Sequence, residues 1–255
     1  MSGPLSSFAA KEGRETVKTW RLWVLPGILL FLALSSPVLT KLTPEILRAT
    51  ASSQPGVVIH IPAPTARDSY VQFMGNLAQL VTLAVIIAGA ATISSELRAG
   101  TAVLVLTKPI SRGAFVVLKA ASQLVLLVVA TVVAVALCIV TTVVLFGSAA
   151  IGPFVEATAL WLVFAAMILM LMVLLSAAMR GQAPAIGAGV ALWIGLLVFT
   201  GFPLIRDHSP AGLMAANDAA LRGRDVALLW PVATTVLAAA AFLAAAVWSF
   251  ERREL

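Results

Sequence analysis

The sequence predicts an all-α integral membrane protein: a bundle of six transmembrane helices with an interfacial helix before the first span and a short cytoplasmic helix between the second and third. Two observations carry this fold class. The chain is 61% hydrophobic and 11% charged, whereas soluble domains are about 45–50% apolar and about 25% charged. The apolar residues also form runs of about 18 or more, which is the length a membrane-spanning helix needs. We therefore treat residues 1–255 as a single transmembrane domain.

The apolar runs predict spans at about 22–40, 70–95, 113–146, 155–179, 184–202 and 228–249. The third run is longer than a bilayer requires, so that helix should tilt or extend beyond the membrane. An even number of spans places both termini on the same side. The termini and the connections on their side hold eleven Lys and Arg residues, against six on the other side. This bias predicts that both termini are cytoplasmic, and it explains the net charge of +6 without a nucleic-acid partner.

The segments outside the spans give three further predictions. Residues 5–21 place Phe8, Val17 and Trp20 among charges, which favours a helix on the inner leaflet over a loose tail. In the first outer loop, Thr43-Pro44-Glu45 is typical of an N-cap followed by Pro at the first helical position, so a short separate helix should begin there. The second outer loop, 203–227, is too apolar to be fully solvated. We predict a short helical hairpin that dips into the outer leaflet.

The sequence offers little chemistry for catalysis. It contains no Gly-x-x-x-x-Gly-Lys-Ser/Thr phosphate loop, no Ser/His/Asp set near a span and no His-Glu-x-x-His. Its one cysteine, Cys138, lies inside an apolar run. The predicted spans are almost free of ionisable residues, and Glu156 lies near a membrane edge, whereas ion-driven carriers usually keep carboxylates or broken helices at mid-membrane. We therefore expect no enzymatic activity, no metal and no cofactor bound by this chain.

Two sets of residues within the spans have open interpretations. Small residues recur every fourth position on the fifth span, which permits close helix packing either within the chain or across two copies. They are Ala183, Gly187, Ala191 and Gly195. Polar residues on the second and third spans either line a transport path or form interhelical hydrogen bonds, of which the bonds are favoured. They are Asn76, Gln79, Thr82, Thr92, Ser122 and Gln123.

The segment 96–112 between the second and third spans is the most informative stretch of the chain. Gly100 is suited to end the second span, and Thr101 can cap a short helix that ends before Pro109. Ser111 can then cap the third span. The short helix carries four apolar residues among positive charges: Val103, Leu104, Val105 and Leu106. Because water is a poor environment for this patch, we expect it to dock into a groove of a soluble protein partner.

At these residues the chain resembles the ABC-2 type permeases, the membrane subunits of ATP-binding cassette exporters. The resemblance rests on a pattern of the form E-x-x-x-G-T, L-x-x-P-[IV]-S-R and a following K. The residues that match are Glu96, Gly100, Thr101, Leu104, Leu106, Pro109, Ile110, Ser111, Arg112 and Lys119. A basic segment before the first span, six spans, a large first outer loop and the ending Trp248-x-Phe250-x-Arg252-Arg253 extend it over nearly the whole chain.

The resemblance implies that 96–112 is a coupling helix that inserts into a separate ATPase subunit. Arg98 and Val103 lie in the same segment. It also implies that two permease copies, identical or related, pair with two ATPases, which hold the ATP and Mg²⁺. The first expectation is therefore the transmembrane subunit of an ATP-driven exporter. The alternatives are a stand-alone secondary carrier or channel, and a non-transporting immunity or scaffold protein of the same fold. High Ala, Val and Arg usage with little Lys suggests a GC-rich bacterium, hence its plasma membrane. The cargo is not predicted.

Overall fold

The computed structural model describes residues 20–51, 62–95, 111–147, 150–224 and 227–252, and these residues are helical with no strand among them. The α-helices are α1 (Trp20–Ala51), α2 (Ala66–Asn76), α3 (Thr82–Ala90), α4 (Arg112–Phe146), α5 (Ile151–Ala178), α6 (Gln182–Phe199), α7 (Pro203–His208), α8 (Ala211–Leu221) and α9 (Leu229–Glu251), and a π-helix, Leu77–Val81, joins α2 to α3. The predicted interfacial helix falls almost entirely outside the described residues, as does the short helix within 96–110.

Within the described ranges, six helical segments are long and apolar enough to cross a membrane. They are Trp23–Ala49, Ala66–Ala90, Arg112–Phe146, Ile151–Ala178, Gln182–Phe199 and Leu229–Glu251. This agrees with the number of predicted spans and indicates a multi-pass membrane protein. The third span has 35 residues, about 52 Å at the helical rise, which is well beyond the roughly 30 Å hydrocarbon core.

Helix α1 corrects the prediction of a separate short helix at Thr43-Pro44-Glu45. The helix continues through this site to Ala51. Thr43 does not cap a new helix, because its hydroxyl donates to the Leu39 carbonyl at 2.7 Å. Similarly, Ser36, which precedes Pro37, donates to the Leu32 carbonyl at 2.7 Å. In a membrane helix, such hydroxyl bonds help to satisfy the backbone around proline, so the helix is not interrupted.

Helix α4 runs beside α1, and a hydrogen bond ties the C-terminal end of α4 to α1. The Lys41 ammonium donates to the Leu145 carbonyl at 3.0 Å, where a cation at the helix C-terminus is favourable. Helix α4 ends at Gly147, whose φ of 79° is left-handed and whose N–H donates to the Val143 carbonyl at 2.8 Å. Helix α1 continues for ten residues beyond Lys41, so it extends past the end of α4.

The second span is made of α2, the π-helix and α3. It begins earlier than predicted, at Ala66, because Thr65 and Asp68 form a reciprocal capping box there. The Thr65 N–H donates to Asp68 Oδ2 at 2.8 Å. Farther along, the Thr82 hydroxyl donates to the Leu77 carbonyl five residues back at 3.0 Å, which spans the π-helix. Such π-bulges occur frequently at functional sites.

Helix α5 lies at the centre of the bundle and is the most buried of the spans. It packs against α3, α4, α6, α8 and α9. Its contacts with the second span run in parallel register: the Trp161 indole N–H donates to the Thr82 hydroxyl at 3.3 Å, and the Thr158 hydroxyl lies 3.7 Å from the Met74 sulfur. Helix α5 therefore contacts the second span at several levels along its length, and α1 packs on the same span.

The outer segment 203–227 contains the predicted helical hairpin, formed by α7 and α8 with a turn at Ser209-Pro210. Helix α8 packs on α5, and Leu213 is 0% exposed. Leu213, Ala216 and Leu221 of α8 are therefore buried against protein, whereas Leu204 and Ile205 of α7 are exposed. Asn217 is also buried. Its side-chain amide fits its neighbours when the NH₂ group faces the carbonyls around it, and Nδ2 then donates to the Ala157 carbonyl of α5 at 3.2 Å. Whether the hairpin also enters the outer leaflet stays a prediction.

Candidate functional site

The candidate site is the place where the second span ends and the third begins, on either side of the segment 96–110. Eight of the predicted coupling residues lie in that segment and so fall outside the described residues: Glu96, Arg98, Gly100, Thr101, Val103, Leu104, Leu106 and Pro109. Three predicted residues are described, Ser111, Arg112 and Lys119. The structure thus places the two helical ends that hold the segment.

The start of α4 is capped as the sequence predicts. Ser111 has an extended backbone, with φ −66° and ψ 148°, and its Oγ accepts a hydrogen bond from the Ala114 N–H at 3.2 Å. This N-cap satisfies a backbone donor that no helical carbonyl can reach. Arg112 is the first residue of the helix and is half-buried. The direction in which the chain enters α4 is therefore fixed by a local hydrogen bond.

The last turn of α9 packs against this helix start. The Phe115 and Phe250 rings stack with their centroids 5.6 Å apart. At Gly113 a Cβ would lie 3.0 Å from both the Glu251 carboxylate and a Val247 methyl, so the two backbones approach closely because this residue has no side chain. Both phenyl rings are fully buried. The C-terminal helix thus braces the first turn of α4, a contact that the sequence analysis did not anticipate.

Two basic residues near this aromatic pair lie beside aromatic rings. The Lys119 ammonium lies 6.0 Å from the centroid of the Phe115 ring, and the Arg252 guanidinium carbon lies 4.1 Å from that of the Trp248 ring. Cation–π contacts of this kind hold a charged head beside an aromatic face. They give structural roles to Trp248, Phe250 and Arg252 of the C-terminal pattern; Arg253 lies outside the described residues.

On the other side of the segment, the second span is broken before it ends. Helix α3 stops at Ala90, residues 91–93 form a turn, and Ser94 and Ser95 are helical again. Ser176 of α5 bonds to this break through its hydroxyl, which accepts from the N–H groups of Ile93 and Ser94 at 3.0 Å each. Sequence reasoning missed Ser176, although a lone serine in the long apolar run of α5 was the available signal.

A model of a protein family matches residues 55–255, and its description is "Protein of unknown function (DUF2705)". The chain belongs to the DUF2705 family. The match runs from the first outer loop through the break, the segment 96–110 and all later spans, so it includes both ends of the candidate site. No curated protein matches this DUF2705 chain.

In the DUF2705 chain, the predicted polar path residues are not gathered at one place. Asn76 and Thr82 serve as interhelical bonds: Asn76 Nδ2 donates to the Ser36 hydroxyl at 3.0 Å, and Thr82 accepts from Trp161. The Ser122 hydroxyl donates a hydrogen bond to the Lys119 carbonyl of its own helix. Among the others, Gln79 is exposed, Gln123 is half-buried, and Thr92 is buried with no hydrogen-bond partner for its hydroxyl among the described residues. Asn76 and Thr82 thus form hydrogen bonds between helices, and whether any of the six residues lines a path stays a prediction.

The small-residue stripe on α6 is open. Ala183, Gly187 and Ala191 are exposed, and among the described residues no atom would lie within 4 Å of a Cβ added at Gly187 or Gly195. The described helices therefore do not cover these positions, and the choice between packing within the chain and packing across two copies stays open. The neighbouring Gly189 is the one that packs inward, since a Cβ there would collide with the Met172 thioether and lie 3.2 Å from Ile86.

Within the part of the DUF2705 chain that the structure describes, no three His, Cys, Asp or Glu residues are placed to hold a metal ion. Cys138 is buried between helices, and Glu156 is exposed near the start of α5. The candidate site consists of two helix ends, one capped by Ser111 and one broken beside Ser176, joined by the segment 96–110.

Proposed function

We propose that this chain is the transmembrane permease subunit of an ATP-driven exporter, and that a separate ATPase docks on the segment 96–112. One observation carries the proposal: the string Gly100-Thr101, Pro109-Ile110-Ser111-Arg112 lies between the second and third spans, where ABC-2 type permeases carry their coupling helix. The six apolar helices and the Ser111 cap at the start of α4 support it. ATP and Mg²⁺ belong to the partner chain in this proposal.

The scarcity of ionisable side chains within the spans favours an external energy source. Within the described spans, most charged side chains lie within about two turns of a span end: Lys41, Glu45, Arg48, Arg67, Asp68, Arg112, Lys119 and Glu251. Glu156 is exposed in the second turn of α5. A carrier driven by protons or sodium ions needs ligands for the coupling ion near mid-membrane. ATP hydrolysis on a soluble partner removes that requirement.

The proposed assembly contains two permease copies and two ATPases in a bacterial plasma membrane, with both termini cytoplasmic. The open small-residue stripe of α6 supports a contact between two copies, because Gly187 and Gly195 leave room for a second helix to approach. In hydrocarbon, close packing of small residues is a main source of helix association. The mass of the purified complex would give the number of copies.

The test of docking is Leu104→Asp in the full chain, co-expressed with an ABC ATPase encoded beside its gene. An unpaired charge buried in a protein contact costs several kcal/mol, enough to make a micromolar complex undetectable. We expect normal membrane insertion, loss of ATPase co-purification and loss of export, with a milder loss for Arg112→Ala. Glu96→Gln should keep docking but uncouple ATP hydrolysis from export.

The matched control is Leu204→Asp, which places the same charge on an exposed leucine of the outer hairpin. It should bind the ATPase as wild type does. Full partner binding and normal export by Leu104→Asp would show that 96–112 is an interfacial turn and would remove the docking proposal. Export that persists in the absence of any ATPase would instead favour a secondary carrier.

A further inference from the structure

The hydrogen-bond ladder of the second span is interrupted by a side chain from another helix. In a regular α-helix the N–H groups of Ile93 and Ser94 would donate to the carbonyls of Gly89 and Ala90. Here the Gly89 carbonyl accepts from the Thr92 N–H at 3.1 Å, and the Ala90 carbonyl accepts the Ser94 hydroxyl at 2.7 Å. The two displaced N–H groups both donate to Ser176 Oγ.

Ser176 fills every hydrogen-bonding position that its hydroxyl has. It accepts two hydrogen bonds from Ile93 and Ser94 and donates one to the Ala90 carbonyl at 2.9 Å; a serine hydroxyl offers one donor and two acceptor lone pairs. The side chain is 0% exposed, so water does not compete for these bonds. Insertion of a side chain into the ladder is an established cause of a sharp helix kink.

The same helix that supplies Ser176 also fixes the span on the near side of the break. One turn before Ser176, Met172 packs on Gly89, where an added Cβ would lie 2.6 Å from Met172 Cβ. Earlier in α5, the Trp161 indole N–H donates a hydrogen bond to the Thr82 hydroxyl. Helix α5 thus fixes α3 up to Gly89. The direction of the residues after Ala90 depends on the hydrogen bonds of the Ser176 hydroxyl.

We propose that Ser176 is a positioning residue that sets the angle at which the second span leaves the bundle. Two arrangements compete at this break: the hydroxyl inserted into the ladder, and a continuous helix in which Ile93 and Ser94 bond to their own carbonyls. Loss of the hydroxyl removes the first arrangement, and the end of the span reorients. This inference concerns the fold of the second span and holds whether or not the chain binds an ATPase.

The test uses the full chain in lipid nanodiscs with Ser176→Ala, and hydrogen exchange as the first readout. Loss of the acceptor should speed exchange of the Ile93 and Ser94 amides on the order of tenfold, the equivalent of about one hydrogen bond, while α4 is unchanged. The second readout is the distance between spin labels at Ser95→Cys, the last described residue after the break, and Ala121→Cys in a Cys138→Ala background. The distance distribution should shift in Ser176→Ala.

The matched control is Ser94→Ala, which removes a buried hydroxyl from the same break but leaves the three bonds of Ser176 intact. It should keep the wild-type distance. Unchanged exchange at Ile93 and Ser94 in Ser176→Ala would show that the hydroxyl does not hold the break. Faster exchange with an unchanged distance would show that it does not set the angle. Either result overturns the inference, and neither bears on the docking of an ATPase.

Discussion

Among single residues, Gly89 marks the closest approach of the second and fourth spans. An added Cβ would meet Met172 Cβ at 2.6 Å and Met172 Cγ at 3.4 Å. These atoms lie near the backbone of α5, so a change of Met172 rotamer cannot relieve the contact at its Cβ. We expect Gly89→Ala to lower the free energy of unfolding by about 1–3 kcal/mol through overpacking. The measurement is the midpoint of thermal unfolding of the protein in detergent.

The control for this substitution is Gly75→Ala, at an exposed position of α2. Among the described residues no atom lies within 4 Å of its added Cβ, so only helix propensity changes, by about 0.5–1 kcal/mol in favour of alanine. An equal loss of stability in both variants would mean that the close contact at Gly89 is not what limits this bundle. Sequence spacing selected Gly187 and not Gly89, because a four-residue repeat does not reveal which face meets a neighbour.

Among the secondary-structure elements, the hairpin formed by α7 and α8 is anchored to the rest of the protein more by α8 than by α7. Leu213 is 0% exposed against α5, whereas Leu204 of α7 is 80% exposed. Leu213→Ala should therefore leave a cavity and cost about 2–5 kcal/mol, and it should loosen the hairpin, because Leu213 is a large, fully buried side chain of α8. Limited proteolysis or hydrogen exchange of residues 203–224 would detect the release.

Leu204→Ala is the matched control, and its exchange should equal that of wild type. Equal protection of the hairpin in both variants would show that α8 is held by something other than its packing on α5.

To test whether the hairpin affects export, an acidic residue at Met214 is a better substitution than one at Leu213. Met214 is half-buried, so it disturbs the packing less than the same change at Leu213.

At the scale of the whole molecule, the proposed orientation predicts the side of each connection. Positions 108 and 252 should be cytoplasmic, and positions 54 and 218 external. Single cysteines in a Cys138→Ala background would be labelled in intact cells by an impermeant thiol reagent. We expect labelling at 54 and 218 and none at 108 or 252, because the Lys and Arg bias sets orientation. Labelling at position 108 with none at position 54 would show that the orientation is the reverse of the proposed one.

The sequence by itself determined the class of this protein, the number of spans and, within a few residues, most of their ends. These features follow from local properties: an apolar run of the length of a bilayer is helical wherever it is placed, and a serine before a helix caps it through its own backbone neighbours, as Ser111 does. Local signals failed at Thr43-Pro44-Glu45, where the preceding helix continued and its Thr43 hydroxyl bonded back to Leu39.

Only the tertiary structure decided which helix lies at the centre, which glycines face inward and where the second span breaks. The break at residues 91–93 depends on Ser176, more than 80 positions later in the chain, and the brace on α4 joins Phe115 to Phe250. The spans are apolar over most of their surface, because lipid and neighbouring helices both accept apolar side chains. Hydropathy therefore marks a helix as membrane-spanning, and its neighbours are selected by shape and by a few buried hydroxyls.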